Sequence, residues 1–267
     1  MATMNDTMIQ LKGISKSYGD VPVLDRVDLE VKRGEFLVLL GASGCGKSTL
    51  LNLMAGFITP NTGTVTINGR AVTDVTAACG MVFQQYALFP WRTVQENVEF
   101  GLKMRGMSKQ ERAPIARKYI EMVGLKAAAD KYPHALSGGM KQRVSIARVL
   151  ANDPDVMLFD EPFAALDAMT RQVLQDQLLS IYEQSGKTIV FITHSIDEAL
   201  TLSTRMAVMG SKPGRIVQDI HNDLPHPRSA DVQLSPRFVE LKRSIWERVQ
   251  EEVTRSMELA SAVSYTH

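Results

Sequence analysis

Residues 41–49, with the sequence GASGCGKST, have the types and spacing that could bind phosphate. They fit the pattern G-x-x-x-x-G-K-[ST], in which backbone N–H groups surround phosphates, a lysine reaches the β- and γ-phosphates, and a hydroxyl holds Mg²⁺. The lysine here is Lys47 and the hydroxyl belongs to Ser48. This motif predicts a site for a nucleotide polyphosphate.

The segments before and after this loop have the sequence patterns of a strand and a helix, the two elements that flank a phosphate-binding loop. Residues 36–40 (FLVLL) form a continuous apolar run typical of a buried strand, and residues 48–55 read as a helix that ends at Gly56. A strand, a glycine loop and a helix N-terminus together create an anion site, because the first N–H groups of the helix and its dipole both favour negative charge.

Two further motifs follow the loop along the chain. Asp160 and Glu161 end a second apolar run, residues 156–159, and we expect this strand to deliver carboxylates beside the phosphate. The other motif, Ser137-Gly138-Gly139, lies between the glycine loop and this acidic strand end. Its serine is suited to cap a helix, and its glycines allow a close backbone approach. A simple P-loop kinase has no structural reason to contain that tripeptide or a Glu after the Asp. The set predicts nucleotide hydrolysis.

With these motifs the sequence resembles the ATP-binding cassette family, the ATPase subunits of ABC transporters, from about Met8 to about Leu224. In that family the Ser-Gly-Gly helix of one subunit binds the γ-phosphate held on the phosphate loop of the other. The family's motif usually continues with Gln, where this chain has Met140. The hydrogen bond that Gln could offer near the nucleotide is lost, and the effect on nucleotide affinity stays open.

The resemblance implies ATP and Mg²⁺ as cofactors and assigns a role to each motif. Glu161, His194 and Gln84 are the predicted catalytic residues, and Ser48, Gln84 and Asp160 the predicted metal ligands. The predicted nucleotide contacts of both subunits are Tyr18, Gly41, Ser43, Gly44, Cys45, Gly46, Lys47, Ser48, Thr49, Ser137, Gly138, Gly139 and Asp167.

Several of these residues also have an ordinary structural interpretation. Glu161 could be a helix-start carboxylate before a proline, and Asp167 could be a helix N-cap, a role compatible with the interface role that the family implies. Gln84 could be a surface amide at a strand end, and Gln85 beside it leaves the register open by one residue. His194 could be structural. Tyr18, implied to stack on adenine, could instead pack beneath the turn that follows it.

The pattern of elements predicts an α/β fold: a P-loop NTPase core with an antiparallel β subdomain, an inserted helical subdomain at about 85–150, and a short C-terminal helical tail. Asn68-Gly69 marks a hairpin, and capping-box sequences beginning at Thr93 and Ser108 mark helix starts, with Gly106 and Gly124 as stops. The extent of the resemblance implies an ATP-binding domain at residues 8–224, which leaves residues 225–267 as a linker and an amphipathic helix.

That last helix carries one apolar stripe at helical spacing. Its members are Phe238, Leu241, Ile245, Val249 and Val253. Residues 237–258 hold five basic and five acidic side chains, so the helix is neutral. We expect it to pack on its own domain, with docking of a partner or a regulatory role as the alternative.

Composition limits the partners. The 267 residues are 45% hydrophobic with a formal charge of +1, which gives one full core and no electrostatic footprint for nucleic acid. No apolar run is long enough to span a bilayer, and we expect no signal peptide. Two cysteines, Cys45 and Cys79, suggest no disulfide framework and fit a reducing cytoplasm; we expect neither to be reactive.

Residues 86–91 (YALFPW) are aromatic and follow a loop position, which favours an interaction surface; core packing of the helical subdomain is the alternative. In the family, the region from Gln84 to Trp91 receives membrane permease subunits. Residues 89–94, 160–171 and 213–216 are similar to the importer group for nitrate, taurine and aliphatic sulfonates. The resemblance thus implies a second ATPase subunit (itself or a close paralogue), permease subunits, an indirect solute-binding protein, and a peripheral position on the cytoplasmic face of the membrane. An exporter ATPase or a soluble ABC ATPase is the alternative.

Overall fold

The structure, a computed structural model, describes residues 6–164, 166–211, 213–225, 228 and 230–264. The described residues of Met1–Thr76 and Thr188–His267 form one compact unit, unit 1, and Ala77–Lys187 form a second, unit 2. Positions 226, 227, 229 and 265–267 of the predicted C-terminal region lie outside the described residues.

Strands and α-helices are interspersed along the chain, with up to three of one kind in succession. The strands are β1 (Thr7–Tyr18), β2 (Val21–Lys32), β3 (Phe36–Gly41), β4 (Thr62–Ile67), β5 (Arg70–Ala71), β6 (Cys79–Val82), β7 (Val156–Asp160), β8 (Thr188–Thr193), β9 (Arg205–Gly210) and β10 (Arg215–His221). The α-helices are α1 (Lys47–Ala55), α2 (Val94–Met104), α3 (Lys109–Met122), α4 (Gly138–Ala151), α5 (Ala168–Ser185), α6 (Ile196–Leu202), α7 (Ala230–Gln233) and α8 (Pro236–Ser264).

Unit 1 contains an antiparallel sheet and a mainly parallel one. The antiparallel sheet has the order β2-β1-β4-β5, and its β4–β5 hairpin turns at Asn68 and Gly69, both at positive φ as a two-residue turn requires. In the second sheet β3 pairs in parallel with β8 and β9, while β10 runs antiparallel to β9. All six residues of β3 are buried, which is why the strand reads as an uninterrupted apolar run. This unit carries the phosphate loop between β3 and α1.

Unit 2 combines a parallel strand pair, β6 and β7, with helices α2–α5. Thr93 and Ser108 each form both hydrogen bonds of a capping box, so the two predicted helix starts are confirmed. Gly106 and Gly124 follow the C-caps of α2 and α3 at φ 83° and 69°, where a glycine ends a helix without strain.

The C-terminal helix α8 packs within unit 1, against α6 and β9. Phe238, Leu241 and Ile245 of the predicted stripe are buried, and Val249 and Val253 are half-buried. The apolar stripe is therefore the face that the helix buries on its own domain. Within the described part of the chain, no helix is both long enough and apolar enough to cross a membrane.

Candidate functional site

The phosphate loop joins the end of β3, at Gly41, to the start of α1, at Lys47. Gly44 (φ 79°) and Gly46 (φ 97°) lie in the left-handed region, which side chains other than glycine rarely adopt. Gly46 is also the N-cap residue of α1, so the helix begins at the loop, and the first turn of a helix directs its N–H groups toward the N-terminus. The loop therefore turns backbone donors and the positive end of a helix toward one place, as an anion site requires.

The Lys47 side chain lies inside the loop and is 5% exposed. Its Nζ donates to the carbonyl oxygens of Gly41 at 2.7 Å and Ala42 at 2.9 Å. Cys45 is buried beside it, with Sγ 3.8 Å from Nζ, and burial raises the pKa of the thiol. The loop thus holds one ammonium group at its centre and keeps the cysteine protonated, in agreement with an unreactive Cys45.

Two neighbours hold the loop by close backbone packing. A Cβ on Gly46 would stand 2.6 Å from Cδ2 of Leu24, and a Cβ on Gly41 would stand 2.7 Å from the carbonyl oxygen of Met209. Gly214 supports the loop from the β9–β10 turn, because a Cβ there would collide first with the carbonyl oxygen of Cys45. Sequence reasoning missed this role of Gly214; the only signal was its Pro-Gly dipeptide, which marks a turn but not what the turn contacts.

His194 follows the last residue of β8, and its side chain is exposed. Because Thr193 pairs with Leu40 in parallel register, His194 lies at the same level of the sheet as Gly41, where the phosphate loop begins. The Thr193 hydroxyl fixes the turn: it accepts from the Ser195 N–H at 2.9 Å and donates to the Glu198 carboxylate at 2.6 Å. The structure therefore brings His194 and the phosphate loop to one sheet edge.

Tyr18 ends β1 and is 52% exposed, an exposure that fits a stacking surface better than packing beneath a turn. The ammonium of Lys16 lies 5.5 Å from the centre of its ring. This cation–π contact occupies one face of the Tyr18 ring. The ring is still half-exposed, so part of it remains accessible for stacking.

In unit 2, Asp160 ends β7 and Glu161 follows it at φ 43°. A residue with a Cβ is strained in this left-handed region, by about 1–3 kcal/mol, and such strain persists where the surroundings impose it. Residues 162–164 form a turn, closed by the Ala164 N–H donating to the Glu161 carbonyl at 3.2 Å, and the next helix begins only at Ala168. The interpretation of Glu161 as a helix-start carboxylate is therefore wrong, because the residue lies in a strained turn between β7 and α5.

Ser137 caps α4, and its Oγ accepts from the Met140 N–H at 3.3 Å while the side chain remains exposed. The two glycines face neighbours within unit 2. A Cβ on Gly138 would stand 3.0 Å from the Tyr86 hydroxyl, and one on Gly139 would stand 2.5 Å from Cγ2 of Thr170. The close approach expected at these glycines is thus made in part to the chain's own helix α5.

Asp167 caps α5: its carboxylate accepts from the Thr170 N–H at 2.9 Å and from the Thr170 hydroxyl at 2.7 Å. These hydrogen bonds hold the pKa of the Asp167 carboxyl below its usual value. The N-cap role is confirmed, and the exposed side chain leaves the interface role as a prediction.

Gln84 lies two residues beyond β6 and is exposed, as is Gln85, so the register of the predicted glutamine remains open. The loop that follows is held by Arg148 of α4, whose guanidinium donates to the carbonyl oxygens of Ala87 at 2.6 Å and Tyr86 at 3.3 Å. Burial lowers the pKa of Arg148. Sequence reasoning missed this clamp, since nothing local links the helix to a loop about sixty residues earlier.

The aromatic segment 86–91 divides into a packed and an exposed part. Phe89 packs on Phe100, with ring centres 4.4 Å apart, whereas Trp91 is 70% exposed. An open groove of about 470 Å³ with mostly apolar walls runs beside Phe89. Its walls include Cys79, Met81, Phe83, Phe89, Phe100 and Val149. Burial raises the pKa of the Cys79 thiol to about 12, which agrees with an unreactive cysteine.

Comparison with known proteins identifies the family of this chain. Residues 24–164 match the ABC transporter family. The chain is 50% identical to an uncharacterised ABC transporter ATP-binding protein of Methanocaldococcus jannaschii (89% of this chain, 88% of the relative) and 47% identical to a taurine import ATP-binding protein of Rhizobium johnstonii (84% and 88%).

Solved structures agree with the sequence relatives. A dimeric ATP-binding cassette in a post-hydrolysis state with ADP and phosphate is 35% identical, with a TM-score of 0.72 over 80% of this chain and 98% of that one. A component of an ABC transporter complex from Clostridium perfringens is 26% identical, with a TM-score of 0.76 over 96% and 100%. The sequence-based identification is confirmed: the chain belongs to the ABC transporter family, as an ATP-hydrolysing, ATP-binding subunit.

Proposed function

We propose that this chain drives solute import, by coupling ATP binding and hydrolysis to uptake through membrane permease subunits. The observation that carries this proposal is its similarity to taurine import ATP-binding proteins, 47% identical in Rhizobium johnstonii and 40% identical over 92% of this chain in Shigella boydii. The solute is a small one of the nitrate, sulfonate or taurine kind. The chain then works at the cytoplasmic face of the membrane as a peripheral subunit, beside a solute-binding protein that it reaches only through the permease.

The phosphate loop is the part of the site best supported by geometry. The amides at the start of α1 and the ammonium of Lys47 are proposed to bind the β- and γ-phosphates, and Tyr18 the adenine. The buried ammonium, the glycine turns and the half-exposed ring support these roles. His194, at the same sheet edge as Gly41, is proposed to contact the γ-phosphate.

Mg²⁺ is assigned to Ser48, Gln84 and Asp160. Hydroxyl, amide and carboxylate oxygens are the donors that this hard cation prefers, so the residues present fit it. When bound, the ion neutralises charge on the phosphates. Glu161 is proposed to polarise the attacking water, and the strained backbone at this residue supports the role, because such strain is concentrated at functional positions.

The second half of each site is proposed to come from another copy or a close paralogue. Ser137, Gly138, Gly139 and Asp167 would meet a nucleotide held on the partner's phosphate loop, in a head-to-tail pair with two equivalent sites. The exposed Ser137 at the start of a fourteen-residue helix supports this, as does the dimeric form of the related cassette. Its cap leaves the remaining lone pair and the hydroxyl proton of Ser137 for a ligand.

The permease is proposed to dock on the groove beside Phe89 and on the exposed Trp91. An apolar groove with an exposed aromatic rim suits an amphipathic helix of a partner. Arg148 holds the backbone of this loop, so movement of the docked partner would reach residues 84–87.

Uptake in cells tests this proposal. Deleting the gene should abolish accumulation of labelled taurine, an alkanesulfonate or nitrate, and the wild-type gene should restore it. A gene carrying Glu161→Gln should not restore it, whereas the matched surface variant Glu121→Gln should. Unchanged uptake of all three solutes after deletion would refute the solute class. If the deletion strain instead retained a solute that wild-type cells expel, the chain would drive export and not import.

A further inference from the structure

The β9–β10 hairpin contacts the phosphate loop at two places, near Gly41 and at Cys45. The tip of this hairpin is formed by Gly210, Gly214 and Arg215. At the first end, Met209 pairs with Gly41, and its carbonyl oxygen lies 2.7 Å from where a Gly41 Cβ would be. At the other end, Gly214 meets the carbonyl oxygen of Cys45. The hairpin therefore limits where the loop between these two ends can lie.

Gly214 is itself tied to the strand that supports Gly46. Its N–H donates to the Val23 carbonyl at 2.8 Å, and its carbonyl accepts from the Asp25 N–H at 3.0 Å. The side chain of Leu24, between these two residues, packs against Gly46 at the N-cap of α1. The tip thus contacts the loop directly at Cys45 and, through Leu24, at Gly46.

One carboxylate of the C-terminal helix lies over this tip. Glu252 of α8 has a side chain only 9% exposed, and its two oxygens lie 3.4 and 3.3 Å from Nη2 of Arg215. Arg215 pairs with Gly210 across the hairpin, and a Cβ on Gly210 would stand 3.0 Å from the carboxyl carbon of Glu252. The carboxylate therefore occupies the space that the glycine leaves open and pairs with the arginine opposite it.

A buried carboxylate at this place is costly unless it is paired, because burial removes its hydration. The apolar stripe of α8 already docks the helix: Phe238, Leu241 and Ile245 are buried about two turns or more before Glu252, and Val249 and Val253 beside it are half-buried. The Glu252–Arg215 pair thus adds a specific contact to the hairpin beyond the apolar docking.

We propose that Glu252 and Arg215 are positioning residues for the phosphate loop, whose ion pair fixes the tip of the hairpin and thereby sets nucleotide affinity. The proposal rests on the assignment of residues 41–49 to nucleotide binding. It gives the C-terminal helix a part in the ATPase reaction although the helix itself contributes no residue to the loop.

The test uses the full chain and measures ATP binding, ATPase kinetics and melting temperature. Glu252→Ala and Arg215→Ala should each weaken ATP binding and raise KM roughly tenfold, within the range known for coupling through packed side chains, with kcat changed less than twofold. Arg215→Lys keeps the charge and should recover most of the affinity. Lys242→Ala, which removes another ion pair of the same helix, to Asp197, is the matched control and should keep wild-type affinity.

Two outcomes overturn the proposal. If Glu252→Ala lowers the melting temperature but binds ATP as the wild type does, the pair only stabilises the helix. If Lys242→Ala loses as much affinity, the effect is one of helix docking in general. Should Glu252→Ala fail to fold, Glu252→Gln decides by the same criteria, because it removes the charge and keeps the side-chain volume, and no buried carboxylate is left unpaired. A wild-type protein that binds no ATP, or binds it equally after Lys47→Ala, would instead refute the assignment of the loop.

Discussion

The phosphate loop and the Ser137 helix start are both proposed to bind phosphate, but they are built in opposite ways. The loop surrounds its own ammonium group: Lys47 is buried on two carbonyl oxygens, and Gly41, Gly46 and Gly214 bring neighbouring backbone into contact. Ser137, in contrast, is exposed. The two glycines that follow it pack against Tyr86 and Thr170 of the same unit.

This difference indicates how the two regions share the proposed binding of phosphate. A loop held by Leu24, Met209 and Gly214 of its own unit can fix phosphate positions by itself. An exposed helix start with its back packed can supply donors only to something that approaches from outside. We infer that one region is the resident half of a site and the other is the half offered to a partner.

The largest expected effect concerns the hydrolytic step, which neither region performs alone. Glu161→Gln should keep ATP binding and lose about 10²- to 10⁴-fold in phosphate release, the usual contribution of a positioned general base. The same variant should accumulate as an ATP-bound dimer on size exclusion, because in the proposed dimer hydrolysis is the step that reopens the interface. Wild-type turnover in Glu161→Gln, with Glu121→Gln as the control, would remove Glu161 from the mechanism.

A smaller effect is expected where the helix start packs on its own unit. Gly139→Ala places a methyl group against Cγ2 of Thr170 and should lower the free energy of unfolding by about 1–3 kcal/mol, the usual cost of overpacking. Adding Thr170→Ser removes that methyl group, keeps the hydroxyl on Asp167, and should restore stability in a denaturant titration. If the double variant stays as unstable as Gly139→Ala, the contact with Thr170 is not the cause.

The smallest effect is expected at Met140. Its backbone N–H, not its side chain, completes the Ser137 cap, so Met140→Gln leaves the cap unchanged. A new neutral hydrogen bond contributes about 0.5–1.5 kcal/mol, which should appear as a change in KM for ATP with maximal turnover within a few-fold. A collapse of turnover would show that the Met140 side chain has a role that this account does not include.

Local signals predicted the parts of this structure that depend on neighbours in sequence. The phosphate loop, the capping boxes at Thr93 and Ser108, and the hairpin at Asn68 each depend on a few adjacent residues whose types fix the backbone. The burial of the α8 stripe followed from its spacing alone.

Contacts between distant segments were not predictable in the same way. The clamp of Arg148 on residues 86 and 87, and the contact of Gly214 with Cys45, join segments about sixty and 170 residues apart, and no local pattern encodes the pairing. The strained backbone of Glu161 was missed for another reason: a non-glycine residue at φ 43° goes against its own preference, so it must be imposed by the surrounding fold.

The central claim, that each site combines the loop of one subunit with the Ser137 helix of another, is tested most directly by mixing two inactive variants. Lys47→Ala and Ser137→Arg place both lesions in one site of a mixed dimer and leave the other intact. With free exchange of subunits, about one quarter of all sites are then intact, and we predict ATPase activity near that fraction of wild type. Lys47→Ala mixed with the Lys47→Ala/Ser137→Arg double variant has no intact site and should stay inactive. No recovery in the first mixture, while a tethered dimer with one wild-type site is active, would contradict the account.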